Sequence, residues 1–349
     1  MRAVVIEEFQ RLPQLREVPD PEPTPDGVVI AVEATGVCRS DWHTLQGHDE
    51  AVVLPHVAGH ELAGRIAALG RDVRGWTVGE RVTVPFVCAC GRCAQCAVGQ
   101  QQICDAQFQP GATHWGSFAD LVAIDHAEIN LVRVPDGLSS VAAAALGCRF
   151  ATAFRAVLRH EDLRPGHWVA VHGCGGAGLS AVLLAAAAGA LVVAVDVSAG
   201  ALALASELGA VAVVNGSDVP DTAAAVVELT GGGAHLSLDC VGLPATCAAS
   251  VASLRKRGTH VQVGLMPPAQ GVPPIPWHRV IAGELRLAGT HGLQAHEYPG
   301  MLRFVERAGL DLDRLVGARI SLDDVPGALM AMNDPVAARA GVTVAELTA

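Results

Sequence analysis

The stretch Trp168-Val169-Ala170-Val171-His172-Gly173-Cys174-Gly175-Gly176-Ala177-Gly178 decides the fold. An apolar strand-like run leads into G-x-G-x-x-G, and an Ala/Leu-rich run over 177–188 continues it as a helix. Gly173 permits the tight turn, Gly175 lets backbone approach a pyrophosphate, and Gly178 lets the helix pack on the strand. Gly176 and Ala177 open that helix, whose free N–H groups suit a phosphate. Asp196 ends the next strand, at the spacing of an acid that binds a ribose 2′-OH. A carboxylate there repels a 2′-phosphate, which favours NAD over NADP. The competing reading, an ordinary βα turn followed by a surface Asp, explains less of this ordered context.

Outward from this motif, strands at 191–195, 211–214, 236–241 and 260–265 alternate with helices at 199–208, 222–229 and 245–254. Such alternation implies a parallel sheet covered by helices on both faces. An Ala-rich helix over 139–160, capped by Ser139 or Ser140, precedes it. The first third reads differently. Strand-like runs at 3–6, 28–32, 64–69, 81–84 and 118–124, punctuated by Gly, Pro and Asp, suggest a partly open antiparallel barrel. Beyond residue 290, helices at 298–308 and 325–332 and a closing strand at 342–345 complete the chain. The expected architecture is α/β: a Rossmann coenzyme domain over 150–290, inserted in a β-rich domain built from 1–149 and 291–349.

A chain of 349 residues suits two cores, since one core stops growing at roughly 250–300 residues. The formal charge of −11 argues against nucleic acid and anionic membrane surfaces as partners. The richest apolar run, 181–190, is shorter than the ~20 residues of a membrane span. Met1-Arg2-Ala3-Val4-Val5-Ile6 reads as a strand and not as a signal peptide, so a cytoplasmic location is expected.

Ten cysteines in such a chain point to metal or reactive sites more than to disulfides. Cys90-x2-Cys93-x2-Cys96-x7-Cys104, within a lobe over 88–105, suits a closed tetrahedral cage for one structural zinc. A redox or disulfide cluster is the competing reading. Cys88 lies beside the set, but Cys90 gives the better register. A second constellation is dispersed: Cys38 in Gly36-Val37-Cys38-Arg39-Ser40-Asp41-Trp42-His43, then His60-Glu61, then Cys148. One imidazole and two thiolates leave zinc an open fourth position. Spacing alone does not group them, because a lone His or Cys is more often structural.

Taken together, Gly36–His43, Gly59-His60-Glu61, the cysteine lobe, Cys148 and the glycine motif with Asp196 resemble the zinc-containing medium-chain dehydrogenase/reductase family, specifically its alcohol dehydrogenases. The likeness covers essentially the whole chain. It implies a GroES-like catalytic domain around the Rossmann domain, with the active site in the cleft between them. It also implies that Cys38, His60 and Cys148 hold a catalytic zinc, with Glu61 close by as a transient ligand. Asp41 would orient the histidine. Ser40 and His43 match the proton relay, Arg39 a contact to the cofactor pyrophosphate, and Val241, Val263 and Leu265 the cofactor-binding surface. Plainer readings stand beside these: His43 as a surface histidine and Arg39 as a solvated charge.

The resemblance further implies two zinc ions per chain, NAD, and reversible oxidation of primary or secondary alcohols to aldehydes or ketones. The expected assembly is a homodimer or homotetramer. The lysine that many NAD-dependent members carry after the ribose-binding acid is missing from 197–201, which leaves the NAD/NADP preference less strict. Trp42, Phe86 and Trp115, with Leu265 and Met266, are the candidates for an apolar substrate pocket, unless they are core. Rival readings are a zinc-dependent polyol or sugar dehydrogenase on the same scaffold, a zinc-free quinone reductase, and a non-catalytic NAD-binding sensor.

Overall fold

The computed structural model describes residues 1–267, 270–334 and 340–347. Trp168–His172 is apolar and almost wholly buried, as the central strand of a parallel sheet must be. It pairs in parallel with Leu191–Asp196 on one side and Ala234–Asp239 on the other. The full sheet runs Ala212–Asn215, Leu191–Asp196, Trp168–His172, Ala234–Asp239, Leu254–Gln262, Arg286–Gly289, all parallel. In chain order this is 3-2-1-4-5-6, the Rossmann arrangement. Its crevice lies beyond the carboxyl ends of the strands, where the order reverses. The helix Gly176–Ala187 starts there.

The other half is built on Val28–Val37, a ten-residue strand. It pairs antiparallel with Glu61–Leu69, Leu121–Ile124 and Val342–Glu346. Glu61–Leu69 leads on through Arg81–Thr83 to Val132–Arg133. Val316–Ser321 extends the sheet alongside Val342–Glu346, so the end of the chain returns to the sheet formed by its beginning. A small sheet of Gln14–Glu17, Arg2–Ile6 and His56–Val57 covers one side. This is the GroES-like half.

Two expectations need correction, and two elements were not foreseen. The Ala-rich run over 139–160 is not one helix. Ser139 caps Ser140–Ala144, accepting the Ala142 amide at 3.0 Å, and a π-helical turn at Leu146–Phe150 precedes Ala151–Leu158. The strand expected at 260–265 lies at Leu254–Gln262, so 263–265 form a loop facing the crevice. The helix Trp277–Gly283 and the strand Arg286–Gly289 gave no signal. That helix has apolar Trp277, Val280 and Ile281 at helical spacing, but seven residues are too short a stretch for the pattern to be read as a helix.

One apolar cluster runs without a break from Val141 and Phe150 through Leu179, Leu184 and Leu236. Each fully buried leucine there contributes roughly 1.5–3 kcal/mol. A second cluster, around Ile6, Ile30, Leu62 and Phe118, fills the GroES-like half. Among the described residues, no helix is long and apolar enough to cross a membrane.

Candidate active site and metal centres

A cleft of about 1630 Å³ opens at the carboxyl ends of the parallel strands and is walled by both halves of the molecule. Residues from three separate stretches of the chain meet at its floor. Cys38 ends Val28–Val37 and caps the helix Arg39–Gln46, and His60-Glu61 starts the next strand. Cys148 comes from the π-helical turn. One ligand atom from each of Cys38, His60, Glu61 and Cys148 lies within 4.8 Å of all the others.

The chemistry of this set suits a cation. His60 Nδ1 bonds Asp41 Oδ1 at 2.9 Å, which leaves Nε2 as the free ring nitrogen. That Nε2 is buried without a hydrogen-bond partner among the described residues. A buried, orphaned imidazole nitrogen beside two cysteine sulfurs is what a metal ligand requires. Asp41 is fully buried and also accepts the Cys38 amide at 2.8 Å and the Gly59 amide at 3.0 Å. The thiols act as a pair: the contact with Cys148 drives Cys38 well below the usual thiol range, and the same contact drives Cys148 well above it. Burial opposes a charged His60, but the charge and hydrogen bond of Asp41 hold the ring well above the usual imidazole range.

Glu61 is fully buried beside the cluster and is gripped by Arg149. Arg149 Nε donates to Oε1 at 2.9 Å, Nη2 donates to Oε2, and the Arg149 amide reaches Oε1 at 3.0 Å. Burial raises the Glu61 carboxyl above its ordinary range against the pull of Arg149. Gly36 makes this possible, since a Cβ there would overlap Glu61 Oε2 and crowd Arg149 Nη2.

The cysteine lobe forms a second cluster. Its sulfurs stand 3.5 Å (Cys93–Cys96), 3.7 Å (Cys93–Cys104) and 3.5 Å (Cys90–Cys104) apart. A tetrahedron of Zn–S bonds near 2.3 Å has edges of about 3.8 Å, while a disulfide needs about 2.0 Å. The spacing therefore suits a four-sulfur zinc cage and excludes a disulfide cluster. Backbone amides, the Cys96 amide foremost, pull Cys93 down to about 6, as a metal thiolate needs, while burial pushes Cys96 up to about 12. Cys88 points elsewhere, bonding the Pro85 carbonyl at 3.4 Å.

On the coenzyme side, Gly178 touches the Gly173 carbonyl so closely that no side chain would fit. Gly173, Gly175, Gly176 and Ala177 line the cleft, as do Asp196, Val241, Val263 and Leu265. Asp196 accepts the Cys174 amide at 2.6 Å and the Ser198 amide at 2.8 Å, which fixes its carboxylate at the cleft edge. Cys174 is buried and its thiol is pushed up to about 12, so it is an inert filler.

Several expected residues have other surroundings. Ser40 and His43 line the cleft, with Ser40 Oγ 3.8 Å from Cys38 Sγ. Arg39 lines it too, but its guanidinium bonds Asn333 and, at 3.3 Å, the Met332 carbonyl. Of the three aromatic pocket candidates, only Phe86 lines the cleft. Trp42 is instead packed against His43, His48 and Arg39. Trp115 turns away to bond the Pro55 carbonyl at 3.2 Å and is partly exposed. Sequence reasoning passed over Arg149, and also His48, whose Nδ1 lies 2.9 Å from His43 Nδ1.

A Rossmann sheet and a GroES-like sheet sharing one cleft define the class of medium-chain dehydrogenases. Comparison with known proteins narrows it. Residues 24–136 match the alcohol dehydrogenase GroES-like domain and residues 176–307 the zinc-binding dehydrogenase domain. Alcohol dehydrogenase 2 of Caenorhabditis elegans is 30% identical over 334 residues, covering 95% of this chain and 93% of that protein. An alcohol dehydrogenase of Geobacillus stearothermophilus is 36% identical over 295 residues, covering 83% and 84%. The crystal structure of a zinc-binding dehydrogenase from Sinorhizobium meliloti bound to NADP superposes with a TM-score of 0.88 at 29% identity over 99% of both chains. The chain belongs to the zinc-type medium-chain alcohol dehydrogenase family.

Proposed function

We propose that this protein carries two zinc ions per chain and oxidises primary or secondary alcohols reversibly to aldehydes or ketones with NAD. The observation that carries this reading is the convergence of Cys38, His60 and Cys148, with Glu61, in the same cleft as the glycine turn and Asp196. Cys38, His60 and Cys148 would hold the catalytic ion, and Cys90, Cys93, Cys96 and Cys104 the structural one. Zinc so held supplies Lewis acidity toward an alcohol oxygen, and nicotinamide supplies the hydride acceptor.

The chain's own residues do the rest. Asp41 keeps the His60 proton on Nδ1, so that Nε2 is the nitrogen that would give up its proton to a bound metal. The Ser40 hydroxyl, beside Cys38, takes the alcohol's proton and passes it toward His43. Burial first, then His48 and Arg39, hold His43 below the usual imidazole range, so its ring is neutral at pH 7 and can accept a proton. A ring that accepts at Nε2 releases from Nδ1, and Nδ1 faces exposed His48. Phe86, Leu265 and Met266 give the substrate region an apolar lining. Asp196 favours NAD, because its carboxylate meets a ribose hydroxyl with a hydrogen bond and a 2′-phosphate with repulsion.

The test is zinc content per chain together with NAD and NADP reduction across primary, secondary, benzylic and polyol alcohols. Two zinc ions and faster NAD turnover on simple alcohols are expected. Preferential turnover of polyols would move the protein to the sugar and polyol branch. One zinc with no turnover on any alcohol would sink the reading in favour of a binding protein.

A further inference from the structure

Arg149 joins two sites that the preceding sections treat separately. Its Nε and Nη2 are committed to Glu61, at the metal cluster. Its Nη1 has no hydrogen-bond partner among the described residues, and it is not among the polar atoms sealed from solvent. The same side chain lies along the coenzyme turn. A Cβ built on Gly176 would collide with Arg149 Cδ and stand 3.2 Å from both Nε and Nη1. Gly176 is the first residue of the helix Gly176–Ala187, and Arg149 lines the cleft with Gly175, Gly176 and Ala177. The guanidinium is thus an almost buried cation with one end on a carboxylate and the other open on the amides where the glycine motif receives a phosphate.

We propose that Arg149 binds the pyrophosphate of the dinucleotide through Nη1 while holding Glu61 through Nε and Nη2, so that coenzyme occupancy sets how firmly Glu61 is kept from the metal cluster. This rests on the reading of the cleft as a dinucleotide site. Two anions then share one cation. A pyrophosphate that draws the guanidinium toward Gly176 loosens its grip on Glu61, whose carboxylate already lies within 4.8 Å of the Cys38, His60 and Cys148 ligand atoms. Linkage makes the effect reciprocal: whatever releases Glu61 tightens pyrophosphate binding by the same factor. The planar fork of arginine suits this double contact and a lysine ammonium does not.

The experiment titrates the zinc-loaded protein by competition against NADH fluorescence. The probes are ADP-ribose, which has the pyrophosphate without nicotinamide, and adenosine, which has neither. Three variants are compared with wild type. Glu61→Gln leaves the guanidinium unshared and should bind ADP-ribose severalfold more tightly. Glu61→Gln/Arg149→Met removes both charges, so no buried charge is stranded. It should bind ADP-ribose on the order of tenfold more weakly than wild type, the loss of one charged hydrogen bond. Arg149→Lys should recover part of that loss. Adenosine affinity should stay constant throughout, and ADP-ribose should change the rate at which a chelator removes the catalytic zinc in wild type but not in the double variant. Equal ADP-ribose affinity in wild type and the double variant would overturn the proposal, leaving Arg149 as a neutralising partner of Glu61. An unchanged Glu61→Gln affinity would overturn the sharing. A wild-type protein that binds neither NADH nor ADP-ribose would overturn the dinucleotide reading itself.

Discussion

Replacing Asp41 with asparagine tests the metal site through a group that is not a ligand. The carboxylate accepts three N–H groups: His60 Nδ1 and the Gly59 amide on Oδ1, and the Cys38 amide on Oδ2. An asparagine has one acceptor oxygen. If that oxygen keeps the two Oδ1 bonds, its NH2 faces the Cys38 amide donor across the 2.8 Å now spanned by a hydrogen bond. Asp41 is fully buried, so water cannot rescue the stranded donors. One unsatisfied buried N–H costs about 1–3 kcal/mol. The neutral amide also holds the His60 ring less firmly than the anion, and lost outer contacts of this kind reduce metal affinity roughly 10–100-fold. The four-cysteine lobe has no contact with Asp41 and should keep its ion. Dialysis of Asp41→Asn against a zinc buffer, followed by elemental analysis, should therefore give close to one zinc per chain where wild type gives two. Thermal unfolding should fall and alcohol turnover should be nearly lost. A variant with both ions bound at wild-type affinity and wild-type turnover would refute the reasoning, because the hydrogen bonds to Asp41 would then play no part in holding His60.

Asp196→Ser should raise the Michaelis constant for NAD by roughly 10–100-fold, the worth of a charged hydrogen bond to ribose, and raise that for NADP less. An unchanged NAD/NADP ratio would count against Asp196 as the discriminating group. His172, buried at the end of the central strand, should make the coenzyme-binding half acid-labile. Burial first and then His260 push it down to about 3, against about 6.5 in the unfolded chain. A folded value below the unfolded one means that the unfolded chain takes up more protons between pH 6.5 and 3. The stability contribution is full above pH 6.5 and is lost as pH falls through that window. At pH 5 the loss is about 2 kcal/mol. Denaturant unfolding at pH 7 and pH 5 should show it in wild type and largely not in His172→Gln; equal losses in the two proteins would disprove the assignment.

What could be read in the sequence shares a physical property: the constraint acts over a short stretch of chain. Gly178 has to be glycine because the Gly173 carbonyl touches it, five residues away. The four lobe cysteines surround one point from within fifteen residues, so their spacing is the site. Cys38, His60 and Cys148 do not share that property, and only the family likeness grouped them before the fold did. Arg149 escaped notice because its partner Glu61 lies 88 residues away and nothing near Arg149 announces the pair. Trp115 shows the same dependence on a distant contact. An indole suits a pocket by composition, yet which way its loop turns it is decided by contacts such as that of Trp115 with Pro55.

The break in the helix at Leu146–Phe150 shows why local propensity could not supply this part of the site. Apart from Gly147, which costs a helix interior about 1 kcal/mol, the residues over 140–158 are acceptable in one continuous helix, and an unbroken α-helix would advance about 100° per residue throughout. The two flanking helices have different surfaces to cover. Ser140–Ala144 packs on Val28–Val37 and Glu61–Leu69, whereas Ala151–Leu158 packs on Gly176–Ala187. One wider turn between them changes the phase, so that each half buries its own apolar face. Leu146 and Phe150, at the two ends of the turn, stay in the core, while Cys148 and Arg149 between them are only partly buried and face the cleft. Gly147 lies against Glu61, with a Cβ there only 3.2 Å from the Glu61 Cα, and its carbonyl is held at 3.1 Å by the hydroxyl of buried Tyr298. With that carbonyl fixed, Cys148 reaches His60 and Cys38 while Arg149 reaches Glu61 and the glycine turn. The metal cluster and the coenzyme turn therefore depend on the same irregular turn, and that turn exists because the two flanking helices pack on different partners, one on the GroES-like sheet and the other on the helix Gly176–Ala187.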